Sequence, residues 1–284
     1  VTGVQTCALP IWNIMDLKAL KAQCTVIRRD IITMLEKSGS GHPGGSLSAV
    51  EIMAALYGYK MKNDPARPQM PERDRFVLSK GHAAPCLYAT LANFGYFPKS
   101  EYDHLRQLGG MLQGHPDRKK FPGVEASTGS LGQGVSVAVG MALGLKHQGG
   151  SQQVYTLLGD GECQEGMVWE AFMAAAHYKL DNLTIFIDWN GLQIDGRNDD
   201  VMSLGDFPGK LRAFGLDVIE VADGNDLEQV IAALDVPHLP GKPRCILCHT
   251  VKGKGVSFME NEAGWHGKAP NHEQAAQALK ELEG

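Results

Sequence analysis

Apolar residues recur at helical spacing between Leu17 and Lys37, at Leu20, Cys24, Ile27, Ile31, Ile32 and Leu35, and predict an amphipathic helix that a Gly-Ser stretch stops. The period resumes from Ser46 to Lys60, with Ser46 or Ser48 as the expected N-cap and Glu51 in the first turn. Arg75 to Ser79 reads as a short strand and Ala83 to Phe94 as a helix. Residues 109–129 hold few periodic apolar positions and much Gly, Pro and charge, so a long loop is expected there, and such loops are usually functional or disordered. Val135 to Lys146 follows as a helix of small residues. A strand at Val154 to Leu158, the turn Gly159-Asp160-Gly161, a helix at Met167 to Tyr178 and a strand at Leu183 to Ile187 then make a βαβ unit. Val218 to Val221, Leu227 to Leu234 and Cys245 to Val251 continue the alternation as strand, helix, strand. Such alternation predicts an α/β fold, a mostly parallel sheet with helices on both faces. One domain over residues 15–284, closed by a helix at Ala275 to Leu282, is the simplest organisation. Residues 1–14 are expected to be a non-native or frayed leader.

With 284 residues, 43% of them hydrophobic, the chain can bury a core without disulfide or metal staples. No apolar run reaches the ~18 residues of a membrane helix. The stretch Cys7 to Trp12 does not read as a signal peptide, since no Lys or Arg precedes it and Pro10 interrupts it. Six scattered cysteines suit a reducing compartment, so a cytoplasmic location is expected. Cys245 and Cys248 have the spacing of a metal or redox pair, but strand residues three apart face opposite sides and no second such pair exists, which favours a plain core strand. Net charge is −5, from 27 basic and 32 acidic residues mixed in sign, so no basic face for nucleic acid or an anionic membrane stands out. Glycine is the outlier, at 34 of 284 residues, about 12% against a usual level of roughly 7%.

Where the glycines fall directs attention to particular loops. Gly39-Ser-Gly41-His42-Pro-Gly44 matches the dinucleotide pattern GxGxxG, but a helix precedes it, Pro43 lies inside it and no strand leads in, so that site is rejected. Asp160 and Gly161 lie where a parallel strand ends and a helix begins, the edge at which α/β sheets bind ligands and anions. Asn190 follows the next strand. A carboxylate, an amide oxygen and a loop carbonyl on one rim could hold a hard cation that clamps a diphosphate, although a plain turn and an Asn190-Gly191 hairpin fit the spacing equally well. In Ser127-Thr-Gly129-Ser-Leu131-Gly-Gln-Gly134, Leu131 is the one apolar residue, either core filling or a prop for a flat ligand. Four histidines, His42, His82, His115 and His266, sit beside glycines, and each alone is more often a hydrogen-bonded loop residue than a catalyst. Glu165 and Glu170, five apart on the helix after the turn, read by themselves as solvated.

Taken together these segments resemble the transketolase group of thiamine-diphosphate enzymes. SGHPGGSLS at 40–48, SKGHAAPCLYA at 79–89, GHP at 114–116, STGSLGQG, GDGECQEG, NGLQIDG at 190–196, VKGKG at 251–255 and WHGKAP at 265–270 follow the family's order across about residues 17–284. The 28 residues between Gly161 and Asn190 match the thiamine-diphosphate motif of that superfamily. The resemblance implies thiamine diphosphate and a divalent metal, Mg²⁺ or alternatively Ca²⁺ or Mn²⁺. Asp160, Asn190 and the Leu192 carbonyl would bind the metal. Gly161, His82, Asn190 and His266 would contact the diphosphate, and Gly129 and Leu131 would line the cofactor's rings. His42, His115 and His266 would face the sugar and assist proton transfer at its hydroxyls, while Glu165, with Glu170, would communicate between paired active sites. Trp189, beside the metal Asn190, replaces a residue that is polar in many relatives.

A complete transketolase adds a pyrimidine-binding domain and a third domain, and the resemblance covers neither. The implied protein is the N-terminal subunit of a split transketolase. Together with a C-terminal partner subunit, and as two of each chain, it would transfer a two-carbon ketol unit from a ketose (phosphate) to an aldose (phosphate). A related synthase with another acceptor, or a non-catalytic cofactor-binding domain, are the alternatives.

Overall fold

The computed structural model describes residues 14–283. The expected leader therefore lies outside the described residues except for Ile14, which is exposed. Asp16 caps α1 (Leu17–Ser38) by accepting from the Ala19 N–H at 2.9 Å, and Gly39, at φ +60°, closes it in the left-handed conformation. The helix predicted from Ser46 to Lys60 is instead broken in two, α2 (Pro43–Leu47) and α3 (Val50–Ala55), with a π-helical turn at Leu56–Lys60. Neither Ser46 nor Ser48 caps a helix. Pro43 sets φ for an earlier start at the first helical position, and the two hydroxyls turn elsewhere: Ser46 donates to His42 O at 2.7 Å and Ser48 to Asp188 at 2.6 Å.

The remaining elements follow the expected alternation: β1 (Arg75–Leu78), α4 (Ala84–Asn93), α5 (Gln133–His147), β2 (Val154–Gly159), α6 (Gly166–His177) and β3 (Leu183–Trp189). A two-residue hairpin comes next, β4 (Leu192–Gln193) with β5 (Gly196–Arg197), then α7 (Asn198–Met202), α8 (Phe207–Ala213), β6 (Asp217–Val221), α9 (Leu227–Asp235), β7 (Arg244–His249) and α10 (His272–Glu281). The hairpin turns at Ile194 and Asp195, not at the Asn190-Gly191 pair offered above, and α7 and α8 have no counterpart in the sequence reading because five to seven residues are too few to show a period. A 3-10 turn, Gly161–Gln164, separates the Gly159-Asp160-Gly161 turn from α6, so that turn does not open the helix directly.

Five strands form one parallel sheet in the order β1-β2-β3-β7-β6. The alternating side chains feed two cores. Phe76, Tyr155, Phe186, Ile246 and Cys248 pack with α1, α3, α4 and α9 on one face. Val77, Val154, Ile185, Ile187, Cys245 and Leu247 pack with α5, α6 and α8 on the other. Cys245 and Cys248 thus lie in opposite cores, both fully buried, as the strand reading requires. Among the described residues no helix is long and apolar enough to cross a membrane.

Residues 105–132 have no regular element, and their last part meets the carboxyl ends of β1 and β2, where Thr128 and Gly129 stand against Gly81 and Gly132 N–H donates to Glu162. What holds the loops at that edge is largely polar. Arg28 of α1 donates both terminal nitrogens to Glu51 of α3 at 2.7 Å each, with both residues under 9% exposed, and its Nε donates to Lys254 O at 3.1 Å. One ion pair therefore fixes two helices and the 251–255 loop. Glu51→Ala leaves the Arg28 charge buried without its carboxylate and is expected to cost about 3–5 kcal/mol of unfolding free energy in urea titration.

Candidate active site

The register pairs Gly159 of β2 with Asp188 of β3, and Asp188 with Cys248 of β7. The residues just beyond these ends, Asp160, Asn190 and Thr250, therefore share one rim, and the rim forms because the strands are parallel and adjacent. A cavity of about 160 Å³ opens there, lined by Asp160, Gly161, Asn190, Leu192, His82, His266, Leu131, Glu165 and Lys252 among others. Leu131 is 36% exposed, so it lines this cavity and does not fill the core.

Asp160 is 2% exposed and accepts from Gly161 N–H at 2.8 Å and Gly191 N–H at 2.5 Å. Burial, joined by the nearby Asp188 charge, pushes its carboxyl up to about 6, which marks a carboxylate short of cationic partners. Asn190 donates Nδ2 to Asp188 at 3.3 Å, which turns its Oδ1 the other way, where it accepts from Leu192 N–H at 3.1 Å. Asp160, the Asn190 amide oxygen and the Leu192 carbonyl make an all-oxygen donor set of the kind that suits a hard divalent cation. Among the described residues no group of three His, Cys, Asp or Glu is placed to hold a metal.

Beneath the rim Asp188 is fully buried and ion-paired to Lys80, with Ser48 and Thr250 also donating to it. Burial opposes the Asp188 charge, but Lys80 and these hydroxyls outweigh it and hold its carboxyl below the usual range. Glu162, 2% exposed, accepts from Ser79 Oγ at 2.6 Å, Gly132 N–H at 3.0 Å and Gly159 N–H at 3.1 Å, and so clamps the Leu131 loop to the end of β2.

The four histidines converge, although they come from four separate loops. His42 has ring centroids 5.6 Å from His82, 6.0 Å from His115 and 5.5 Å from His266, and His82 stacks on His266 at 5.0 Å. Gly129, at φ +141°, permits this: a Cβ there would stand 2.9 Å from the His115 ring. Gly45 has the same role for His82, whose Nε2 lies 3.2 Å from where its Cβ would be. Burial, then Arg106, pushes His42 down to about 4, and burial, then Lys252, pushes His266 down to about 3. His82 and His115 are lowered too, by burial with Lys80 and Arg106 respectively. The Lys252 ammonium donates to His266 Nδ1 at 3.0 Å, so the neutral His266 ring carries its proton on Nε2. Glu165 is exposed at the cavity edge, while Glu170 faces solvent on α6 outside it.

Residues 20–284 match the family described as transketolase, thiamine diphosphate binding domain. The chain belongs to the transketolase family. It is 45% identical over 93% of its length to the 6-deoxy-6-sulfo-D-fructose transketolase subunit SqwG of Clostridium sp. (strain MSTE9), covering 96% of that protein. To a subunit of the apulose-4-phosphate transketolase of Phocaeicola vulgatus it is 41% identical over 94% of its length, covering 95% of that protein. Human transketolase is 40% identical, but the chain spans only 42% of its length. The fold is that of solved transketolases: a TM-score of 0.89 at 32% identity to the Campylobacter jejuni enzyme, with 95% of this chain and 43% of that one covered.

Within this transketolase frame, sequence reasoning passed over Lys80, Asp188, Glu162, Lys252 and Arg106. Asp188 left a signal, a lone carboxylate closing the apolar strand Leu183–Trp189. The lysines left none, since their burial depends on partners far away in the chain. Trp189 turns from the rim, stacking on His249 at 4.5 Å and meeting Phe207 at 5.7 Å.

Because His42 titrates near 4 when folded and near 6.5 when unfolded, the folded state binds fewer protons between those values. The stability that neutral His42 contributes is complete above pH 6.5 and is lost as pH falls toward 4. In His42→Gln the slope of unfolding free energy against pH over that window is expected to be shallower by up to about one proton, or ~1.4 kcal/mol per pH unit. Denaturant titrations at several pH values read this, and an unchanged slope contradicts it.

Proposed function

We propose that this chain, with residues 15–284 as one domain, is the diphosphate-binding half of a two-chain transketolase. The observation that carries the reading is the convergence of four neutral histidines, two of which, His82 and His266, line one cavity with Asp160, Asn190 and Leu192. Two relatives named as transketolase subunits, each covered almost end to end, support the two-chain form.

Asp160, Asn190 Oδ1 and the Leu192 carbonyl hold the divalent cation, Mg²⁺ by preference for hard oxygens and with Ca²⁺ or Mn²⁺ as substitutes. Gly161, His82, Asn190 and His266 face the diphosphate, and Gly129 and Leu131 line the ring end of the cofactor. Thiamine diphosphate, when bound, supplies the nucleophilic carbon and the electron sink that ketol cleavage and transfer require. His42, His115 and His266 meet the sugar. Neutral imidazoles can accept a proton from one hydroxyl and donate to another, and the low proton affinity imposed by burial, and then by Arg106 and Lys252, keeps all three in that form at neutral pH. Glu165, with Glu170 on the exposed side of α6, faces toward a second active site across an assembly of two copies of each chain. The partner contributes the pyrimidine-binding half, and the complex acts on ketose and aldose phosphates in cytoplasmic carbohydrate metabolism.

The purified chain with thiamine diphosphate and Mg²⁺ is expected to show no ketol transfer on a panel of ketose phosphates and a sulfo-ketose, and to gain activity when the C-terminal partner chain is added. Robust turnover by the chain alone sinks the two-chain reading. In calorimetry Asp160→Ala is expected to weaken metal-dependent thiamine diphosphate binding at least about 100-fold, at or beyond what loss of an outer-shell partner costs. Retained binding removes Asp160 from the metal site.

A further inference from the structure

We infer that the Lys252 ammonium is a resident competitor for the cation at Leu192, so that this chain admits metal together with the diphosphate and resists metal alone. The inference rests on the cofactor reading above and concerns how the site loads. Lys252 is 2% exposed, and its Nζ donates to the Leu192 carbonyl at 3.0 Å and to His266 Nδ1 at 3.0 Å. Leu192 O is thus already engaged by a positive charge that belongs to the protein.

The stem of Lys252 is not free to carry that charge away. Gly44 makes room for it, since a Cβ at Gly44 would stand 3.1 Å from Lys252 Cγ and 3.2 Å from Cε. The backbone on either side is pinned, with Asn261 N–H donating to Lys252 O at 2.9 Å and Gly253 N–H to Gly44 O at 3.0 Å. The ammonium at its end lies between the Leu192 carbonyl on one side and, on the other, the His266 ring that stacks on His82.

A divalent cation on Leu192 O would stand beside the ammonium in a site with little water to screen the two, and like charges at that separation repel strongly. An anion arriving against His82 and His266 changes the balance. It offers the ammonium a partner better than a carbonyl and offsets the repulsion, so diphosphate and metal favour each other. Binding linkage requires the effect to be mutual: metal tightens diphosphate by the factor by which diphosphate tightens metal. Lys252 is therefore a positioning residue that sets the coupling, and its removal should strengthen metal binding in isolation, the opposite of what loss of an ordinary supporting residue does.

The test uses the chain dialysed free of metal, Mn²⁺ as the probe and electron paramagnetic resonance of free Mn²⁺ as the readout. Millimolar thiamine diphosphate is expected to tighten Mn²⁺ binding to the wild-type chain at least about tenfold, after correction for the Mn²⁺ complex of thiamine diphosphate in solution. Lys252→Met is expected to bind Mn²⁺ alone at least about tenfold more tightly than wild type, with thiamine diphosphate then adding no more than about threefold. Lys252→Gln, a neutral side chain that can still donate to Leu192 O, should behave as Lys252→Met does, and circular dichroism establishes that both variants are folded. Mn²⁺ affinity alone that is unchanged or weaker in the folded variants overturns the inference. A wild-type chain that takes up no Mn²⁺ even with thiamine diphosphate overturns the cofactor reading, and this inference with it.

Discussion

The Lys80–Asp188 ion pair is the constraint around which the site is built. Neither side chain is more than 1% exposed, and two charges that far from water persist only when their remaining hydrogen-bonding capacity is met. It is met by groups from distant parts of the chain. Gly45 O accepts from Lys80 at 2.9 Å, Ser48 and Thr250 donate to Asp188, and Asn190 adds its amide. The loops after β1, β3 and β7 and the break between α2 and α3 are thereby tied to one point under the sheet's carboxyl edge. That explains why Ser48 is not a helix cap: its hydroxyl is committed to Asp188.

Consequences run upward from that point. With Asn190 Nδ2 drawn to Asp188, the amide oxygen is left for the rim beside Asp160. With Lys80 held at Gly45 and Lys252 held at Gly44, two cations stand beside the histidines, and the imidazoles stay neutral because burial disfavours their charged form and these cations add like charge. The glycines serve this crowding. They allow backbone, ammonium and ring to approach more closely than any side chain would permit, at positions where the ligand-facing surface must stay open.

Much of the fold was legible because its periods are long and its strands apolar. The βαβ unit around Asp160 and the opposed faces of Cys245 and Cys248 follow from alternation alone. Where the reading failed, at the helix begun by Pro43 and at α7 and α8, the elements are short and their bounds answer to tertiary partners. The histidines were visible as four glycine-adjacent residues, but their convergence was not, because nothing local relates the loops at 42, 82, 115 and 266.

By itself, then, the sequence determined the α/β alternation, the placing of Asp160 and Asn190 at neighbouring strand ends and the family to which the motifs belong, since these depend on side-chain period and on residues close in the chain. Only the tertiary structure decided which lysine neutralises which carboxylate, which way the Asn190 amide faces and that Lys252 reaches the Leu192 carbonyl. Those are contacts between segments up to 108 residues apart, and their energies come from burial that no local pattern records.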